Sequence, residues 1–258
     1  MLLFSRDLGG AAQPPLVILH GMLGSSRNWQ TAGRDLAAKF HVFALDLRNH
    51  GSSPHADEMP YAAMMADVIA WLDKQGLARV TLLGHSMGGK LAMLLACRHP
   101  ERVAGLIVVD IAPKDYHWVA HRGGKFTAMN ELDLASLTSR AAAEKAFEEH
   151  VSDWATRKFL LTNLERTSDG RWQWSINLPV ITAAVPMLEA NPLSPTDKFA
   201  GQALFIVGGK SRYVEPGDNA AIRAHFPSAR IEVIAAAGHN PHIETREAFV
   251  ALVLSAVH

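Results

Sequence analysis

The stretch Gly84-His85-Ser86-Met87-Gly88 constrains this chain more than any other. It lies directly between the apolar run VTLL, Val80 to Leu83, and a helical stretch with Leu91, Met93, Leu94 and Leu95 on its apolar side. The serine of G-x-S-x-G therefore sits on a strand-to-helix turn. That turn is so tight that its flanking positions cannot carry large side chains, which sterically requires glycine at 84 and 88. Ser86 is left in a strained conformation with its hydroxyl held out over a sheet edge. The pentapeptide alone occurs by chance in many proteins. Here it has a strand before it, a helix after it and candidate partners downstream.

Short β-rich runs alternate with helical ones through the first half, which implies a parallel sheet with crossover helices. Leu16 to Leu19, His41 to Leu45, Val80 to Leu83 and Val103 to Val109 read as buried strands, with a helix from Tyr61 to Gln75. From Pro113 the pattern turns helical and amphipathic, through DLASLTSRAAAEKAFEEHV, ATRKFLLTNLERT, the aromatic segment RWQWSINL and on to Glu189, with no strand expected. Strand signals resume at Ala203 to Val207 and Arg230 to Ile234, with helices at Asn219 to His225 and from about Glu244. The expected architecture is an α/β core over 1–112 and 197–258. A helical cap over 113–196 is inserted after strand 6, above the carboxyl edge where such sheets bind ligands.

A serine hydroxyl needs a base within hydrogen-bond reach to act as a nucleophile. His239, in Ala237-Gly238-His239-Asn240-Pro241-His242 between the last strand and the last helix, falls at the same sheet edge as Ser86. His242 is the weaker candidate. An acid must fix the imidazole, and the order for such a site is serine, acid, histidine. The loop after ALFIV, where that acid is commonest, reads Gly208-Gly209-Lys210-Ser211-Arg212-Tyr213 and places Ser211 where a carboxylate is expected. Asp110, ending the strand GLIVVD one strand closer to the nucleophile, is the preferred acid, with Glu215 and Asp218 as alternatives. Ser211 then serves as a fourth member between Asp110 and His239.

Acyl transfer also needs donors aimed at the developing oxyanion. The backbone N–H groups of Met22, in Leu19-His20-Gly21-Met22-Leu23-Gly24, and of Met87 are the natural pair. His20 reads as a hydrogen-bonding residue inside its own turn, and Asp46 as ordering its loop together with Arg48. The substrate-facing candidates in the insertion are Trp118, Phe126, Phe159, Trp172, Trp174 and Met187, chosen because that segment is rich in large side chains.

These motifs resemble the α/β-hydrolase superfamily and, within it, the YbfF-type bacterial esterases and their eukaryotic relatives. The resemblance rests on HGMLGSSRNW, DLRNHGSS, GHSMGGK, VVDIAPKDY, GRWQWSINL and GHNPHIE, from Gly21 to Glu244. It implies a serine carboxylester hydrolase with a helical cap and no cofactor; no metal is expected, and the compact insertion suggests short to medium acyl esters. Thioester or lactone hydrolysis and cofactor-free perhydrolysis use the same groups. A binding protein on this fold, with slow turnover, is the alternative from another class.

Composition excludes other partners. The 258 residues carry 25 basic and 25 acidic side chains, so no net field favours nucleic acid or an anionic membrane. At 48% hydrophobic and 19% charged, with no long uncharged apolar run, the chain reads as a soluble globular protein. The N-terminus meets Arg6 and Asp7 after a few apolar residues, and the single Cys97 sits in LAMLLAC, so a cytoplasmic location with a core thiol is expected. Oligomeric state is not readable.

Overall fold

The computed structural model describes residues 1–117 and 123–255. In chain order the elements are β1 (Ser5–Asp7), β2 (Pro15–Leu19), α1 (Gln30–Leu36), β3 (His41–Leu45), α2 (Tyr61–Lys74), β4 (Val80–His85), α3 (Met87–Arg98) and β5 (Val103–Val109). The insertion holds α4 (Gly123–Glu131), α5 (Arg140–Phe147), α6 (Trp154–Leu161), β6 (Leu164–Arg166), β7 (Trp172–Trp174) and α7 (Leu178–Glu189). The chain then returns through β8 (Ala203–Gly208), α8 (Asn219–His225), β9 (Ala229–Ile234), α9 (Pro241–Glu244) and α10 (Arg246–Ser255).

Seven strands form one sheet in the order β1-β3-β2-β4-β5-β8-β9. Only β1 is antiparallel; every other neighbour pair is parallel. The central strands are apolar on both faces, as a sheet covered by helices on each side requires. Leu16, Ile18, Leu83, Ile107, Leu204 and Ile206 pack with Phe249 and Val253 of α10 and Leu36 of α1. Val17, Leu19, Leu82 and Val108 face the opposite way, toward Val68 and Trp71 of α2 and Leu91 and Leu95 of α3. Strand order reverses at β2, so the crevice beside the carboxyl ends of β2 and β4 is the topological switch point of the sheet. Ser86 stands at that point.

The insertion departs from the sequence expectation in three respects. It leaves the sheet after the fifth strand in chain order, one earlier than the expected six. It contains a two-stranded antiparallel hairpin, pairing Leu164 with Trp174 and Arg166 with Trp172, where no strand was expected. The signal is the alternation Trp172, Gln173, Trp174 after the Asp169-Gly170 turn, with Gly170 at φ +84°. The long amphipathic run before Val151 makes only the short helix α5, which begins where the Ser139 hydroxyl accepts the N–H of Ala142. Among the described residues, no helix is long and apolar enough to cross a membrane.

Candidate active site

Ser86 adopts φ +52° and ψ −117° at the N-cap of α3, and its side chain makes no capping bond to the helix. The glycines around it are held by contact with backbone. A Cβ on Gly84 would lie 2.2 Å from the Gly88 carbonyl oxygen, and one on Gly88 would lie 2.3 Å from that of Leu19. The elbow is thus wedged against the end of β2, which brings the Gly21–Gly24 turn beside the serine: a Cβ on Gly21 would come within 3.3 Å of Ser86 Cβ.

Asp110 extends β5, the strand next to β4, and pairs its N–H with the Ile206 carbonyl at 2.8 Å. Its φ of +51° turns the carboxylate out of the strand. One carboxylate oxygen accepts the Gly208 N–H at 2.9 Å. The other accepts both His239 Nδ1–H, at 2.7 Å, and the Ser211 hydroxyl. The structure therefore brings Asp110 against His239, with the Ser211 hydroxyl donating to the same carboxylate oxygen rather than to the ring. Glu215 and Asp218 stand elsewhere: Asp218 pairs with Lys114 at 2.6 Å and accepts the Glu215 N–H at 2.8 Å. The Asp110 carboxylate is fully buried while the His239 ring remains about a quarter exposed, at 24%. The imidazole thus presents its free edge to the crevice.

Among the described residues, the Ser86 hydroxyl makes no hydrogen bond, so its expected link to His239 is not formed here. Such contacts commonly tighten only when substrate binds. The N–H groups of Met22 and Met87 are taken up by no backbone carbonyl among the described residues, and both are free to donate.

Several residues that the sequence reading did not single out complete the site. Tyr213 stacks on the His239 ring at 3.6 Å between centroids and 12° between planes. His85 donates Nε2–H to the His239 carbonyl at 2.8 Å, and burial holds its imidazole neutral, well below the ordinary histidine range. In the chain, His85 is the variable residue of the elbow and Tyr213 lies two residues past Ser211.

His20 donates Nδ1–H to the Gly21 carbonyl inside its own turn at 2.8 Å, as the sequence suggested, and its Nε2 also accepts the Leu47 N–H at 3.0 Å. His242 is buried, stacked on Trp29 at 3.9 Å, and pushed down to about 3 by burial. Asp46 does order its loop, by accepting the N–H groups of Ser26 and Ser52. The expected partnership with Arg48 is not formed. Arg48 reaches Asp67 at 2.6 Å instead, because the guanidinium runs along α2. Cys97 is half-buried, and desolvation pushes its thiol up to about 12, the behaviour of a packing thiol.

Phe126, Phe159, Trp172 and Trp174 are all partly buried against the main core. The Arg140 and Arg166 guanidiniums also stand 5.9 and 4.8 Å from Trp172, and Trp174 stacks on Phe147. Met187 is 40% exposed. It lines an outer groove of about 650 Å³ with Tyr61, Met65 and Leu94, and that groove does not include Ser86. Trp118 lies outside the described residues.

The α/β hydrolase fold family matches residues 14–245. The chain belongs to that family. Within the α/β hydrolases it groups with the YbfF-type esterases. It is 36% identical over 234 residues to esterase YbfF of Escherichia coli, covering 91% of this chain and 89% of that protein. It is also 36% identical over 253 residues to the sn-1-specific diacylglycerol lipase of Mus musculus, covering 96% and 82%. A solved marine microorganism esterase matches at 34% identity with a TM-score of 0.96, covering 100% of both chains.

Proposed function

We propose that this serine carboxylic ester hydrolase works through an acyl-enzyme on Ser86, with His239 as general base and acid, Asp110 as the group that holds it, and Ser211 as a fourth member. The supporting observation is the convergence, at the carboxyl ends of β4, β5 and β9, of a strained serine and a His239 held by the buried Asp110, beside two amides free to donate. Ser86 Oγ attacks the acyl carbonyl carbon as its proton passes to His239 Nε2. The Met22 and Met87 N–H groups stabilise the tetrahedral oxyanion. Collapse expels the alcohol, which takes the proton from His239. Water then attacks the acyl-enzyme, giving a proton to His239 and releasing the carboxylic acid, and Ser86 regains its hydrogen.

Residues 113–196 act as a cap on a core of 1–112 and 197–258, with Phe126 and Phe159 lining the acyl site. The preferred substrates are short to medium chain acyl esters, handled in the cytoplasm. The test is a panel of p-nitrophenyl acyl esters of increasing length, beside acyl-CoA thioesters, on wild type and Ser86→Ala. Ester turnover that vanishes in Ser86→Ala supports the reading and ranks chain length. A folded wild type that turns over neither class overturns it.

A further inference from the structure

The turn that carries Met22 is an unusual one to build from these residues. Gly24 N–H closes it on the Gly21 carbonyl at 3.0 Å, which makes Leu23 its third residue. Leu23 sits at φ +62° and is buried. A turn of the type II kind asks for glycine there, because a β-carbon is strained at that φ. Left alone, a leucine would let the turn relax and swing the Met22 amide away from the serine.

Polar contacts on both sides of Met22 oppose that relaxation. His20 Nδ1–H donates to the Gly21 carbonyl at 2.8 Å, and the Leu23 N–H donates to His50 Nε2 at 3.2 Å. The second contact is fixed in sense because His50 Nδ1–H donates to the Arg48 carbonyl at 3.0 Å, leaving Nε2 as the acceptor. These two come from the core. The third comes from the cap: Asn163, just beyond α6 and 2% exposed, donates Nδ2–H to the Leu23 carbonyl at 2.8 Å. Asn163 is itself held, since its carbonyl accepts the Ser175 N–H at 2.8 Å.

We infer that Asn163 is a positioning residue for the Met22 oxyanion amide, so that seating the cap on the core completes the loop that stabilises the tetrahedral intermediate. The inference rests on the function proposed above. An enzyme whose cap is lifted binds ester but lacks one correctly aimed donor, which ties chemistry to closure over the substrate.

The test compares Asn163→Ala with Asn177→Ala. Asn177 also joins the cap to the core, through its side-chain Nδ2–H groups on Asn49 Oδ1 and the Ala56 carbonyl, each at 3.3 Å, without touching the Met22 turn. For a p-nitrophenyl ester, Asn163→Ala is expected to lower kcat about tenfold to a hundredfold with KM changed less than about twofold, the pattern of a misaimed oxyanion donor. Binding of an alkyl boronic acid, whose tetrahedral adduct on Ser86 places an oxygen where the oxyanion forms, should weaken by the same factor. Asn177→Ala should leave kcat and boronate binding within about threefold. If Asn163→Ala fails to fold, Asn163→Asp keeps the shape and sets an acceptor against the Leu23 carbonyl, with the same expected losses. A folded Asn163 variant with unchanged kcat and boronate affinity overturns the inference, as does an equal loss in Asn177→Ala. Failure of the underlying reading looks different: the wild type then shows no Ser86-dependent turnover at all.

Discussion

At the scale of single residues, the chemistry depends on where one carboxylate sits. Asp110 is fully buried and spends both oxygens on three donors, the Gly208 amide, Ser211 and His239. Replacing it by asparagine would set an amide against Nδ1 and favour the wrong imidazole tautomer. Asp110→Asn is therefore expected to lower kcat about 10⁴-fold, while Glu215→Gln and Asp218→Asn change it less than about threefold. Steady-state kinetics on the three variants decides it, and a near-normal Asp110→Asn enzyme would remove Asp110 from the mechanism. Ser86, Asp110 and His239 were legible from residue type, order and position at strand ends. Tyr213, His85 and Asn163 were not, because stacking and side-chain-to-backbone bonds between distant segments leave no spacing in the chain. Met187 lines a groove that does not include Ser86; a large apolar side chain on a helix does not reveal which face is covered.

Among the elements, the last helix of the cap is bound to the core by its carbonyl end. Lys90, on the helix that starts at the nucleophile, is fully buried and donates Nζ–H to the carbonyls of Glu189 and Ala190 at 2.6 and 2.8 Å. The Tyr61 hydroxyl donates to the Leu188 carbonyl at 2.8 Å. These donors satisfy orphan carbonyls at the C-terminus of α7, where a cation also meets the favourable end of the helix dipole. Burial pulls the Lys90 ammonium down to about 7, opposed in part by the Asp115 charge. The unfolded chain keeps this lysine protonated to about pH 10.4, so between the two values it binds more protons than the native state, and stability rises with pH. Below about pH 7 both states are protonated and the slope vanishes. Denaturant unfolding of wild type and Lys90→Met across pH 6 to 10 should diverge above pH 7. The wild type should gain up to about 1.4 kcal/mol per pH unit relative to the variant. Parallel curves would show that Lys90 is charged throughout. The strands and most core helices were legible from apolar runs and Gly or Pro punctuation. The cap was not, since its short helices and the β6–β7 hairpin are fixed by packing on the core more than by local pattern.

For the whole molecule, histidines set the acid limit. His20, His50, His85 and His242 are buried and neutral, and desolvation lowers all four, His50 and His242 to about 3. Their unfolded forms protonate near pH 6.5. Below that pH the unfolded chain takes up protons the native state refuses, so stability is intact above about pH 6.5 and falls as pH drops toward 3. Each ring can contribute up to about 1.4 kcal/mol per pH unit. His242→Phe keeps an aromatic ring against Trp29 and removes one titrating group. It should move the acid-unfolding midpoint to lower pH, read by circular dichroism, and an unmoved midpoint would show that His242 is protonated in the native state.

Ser86 and Asp110 are carried on a single strand-helix-strand unit from Val80 onward, whereas the bond from Asp110 to His239 spans 129 residues of chain. Two of the three reacting groups are thus neighbours by local assembly, and the third arrives only when β9 has docked on β8. During synthesis the proposed nucleophile emerges long before its proposed base, so a chain that has not yet added the last strand is expected not to be acylated at Ser86. In the proposed mechanism turnover requires the last strand to be in place, so the onset of turnover after dilution from denaturant is expected to follow closure of the sheet.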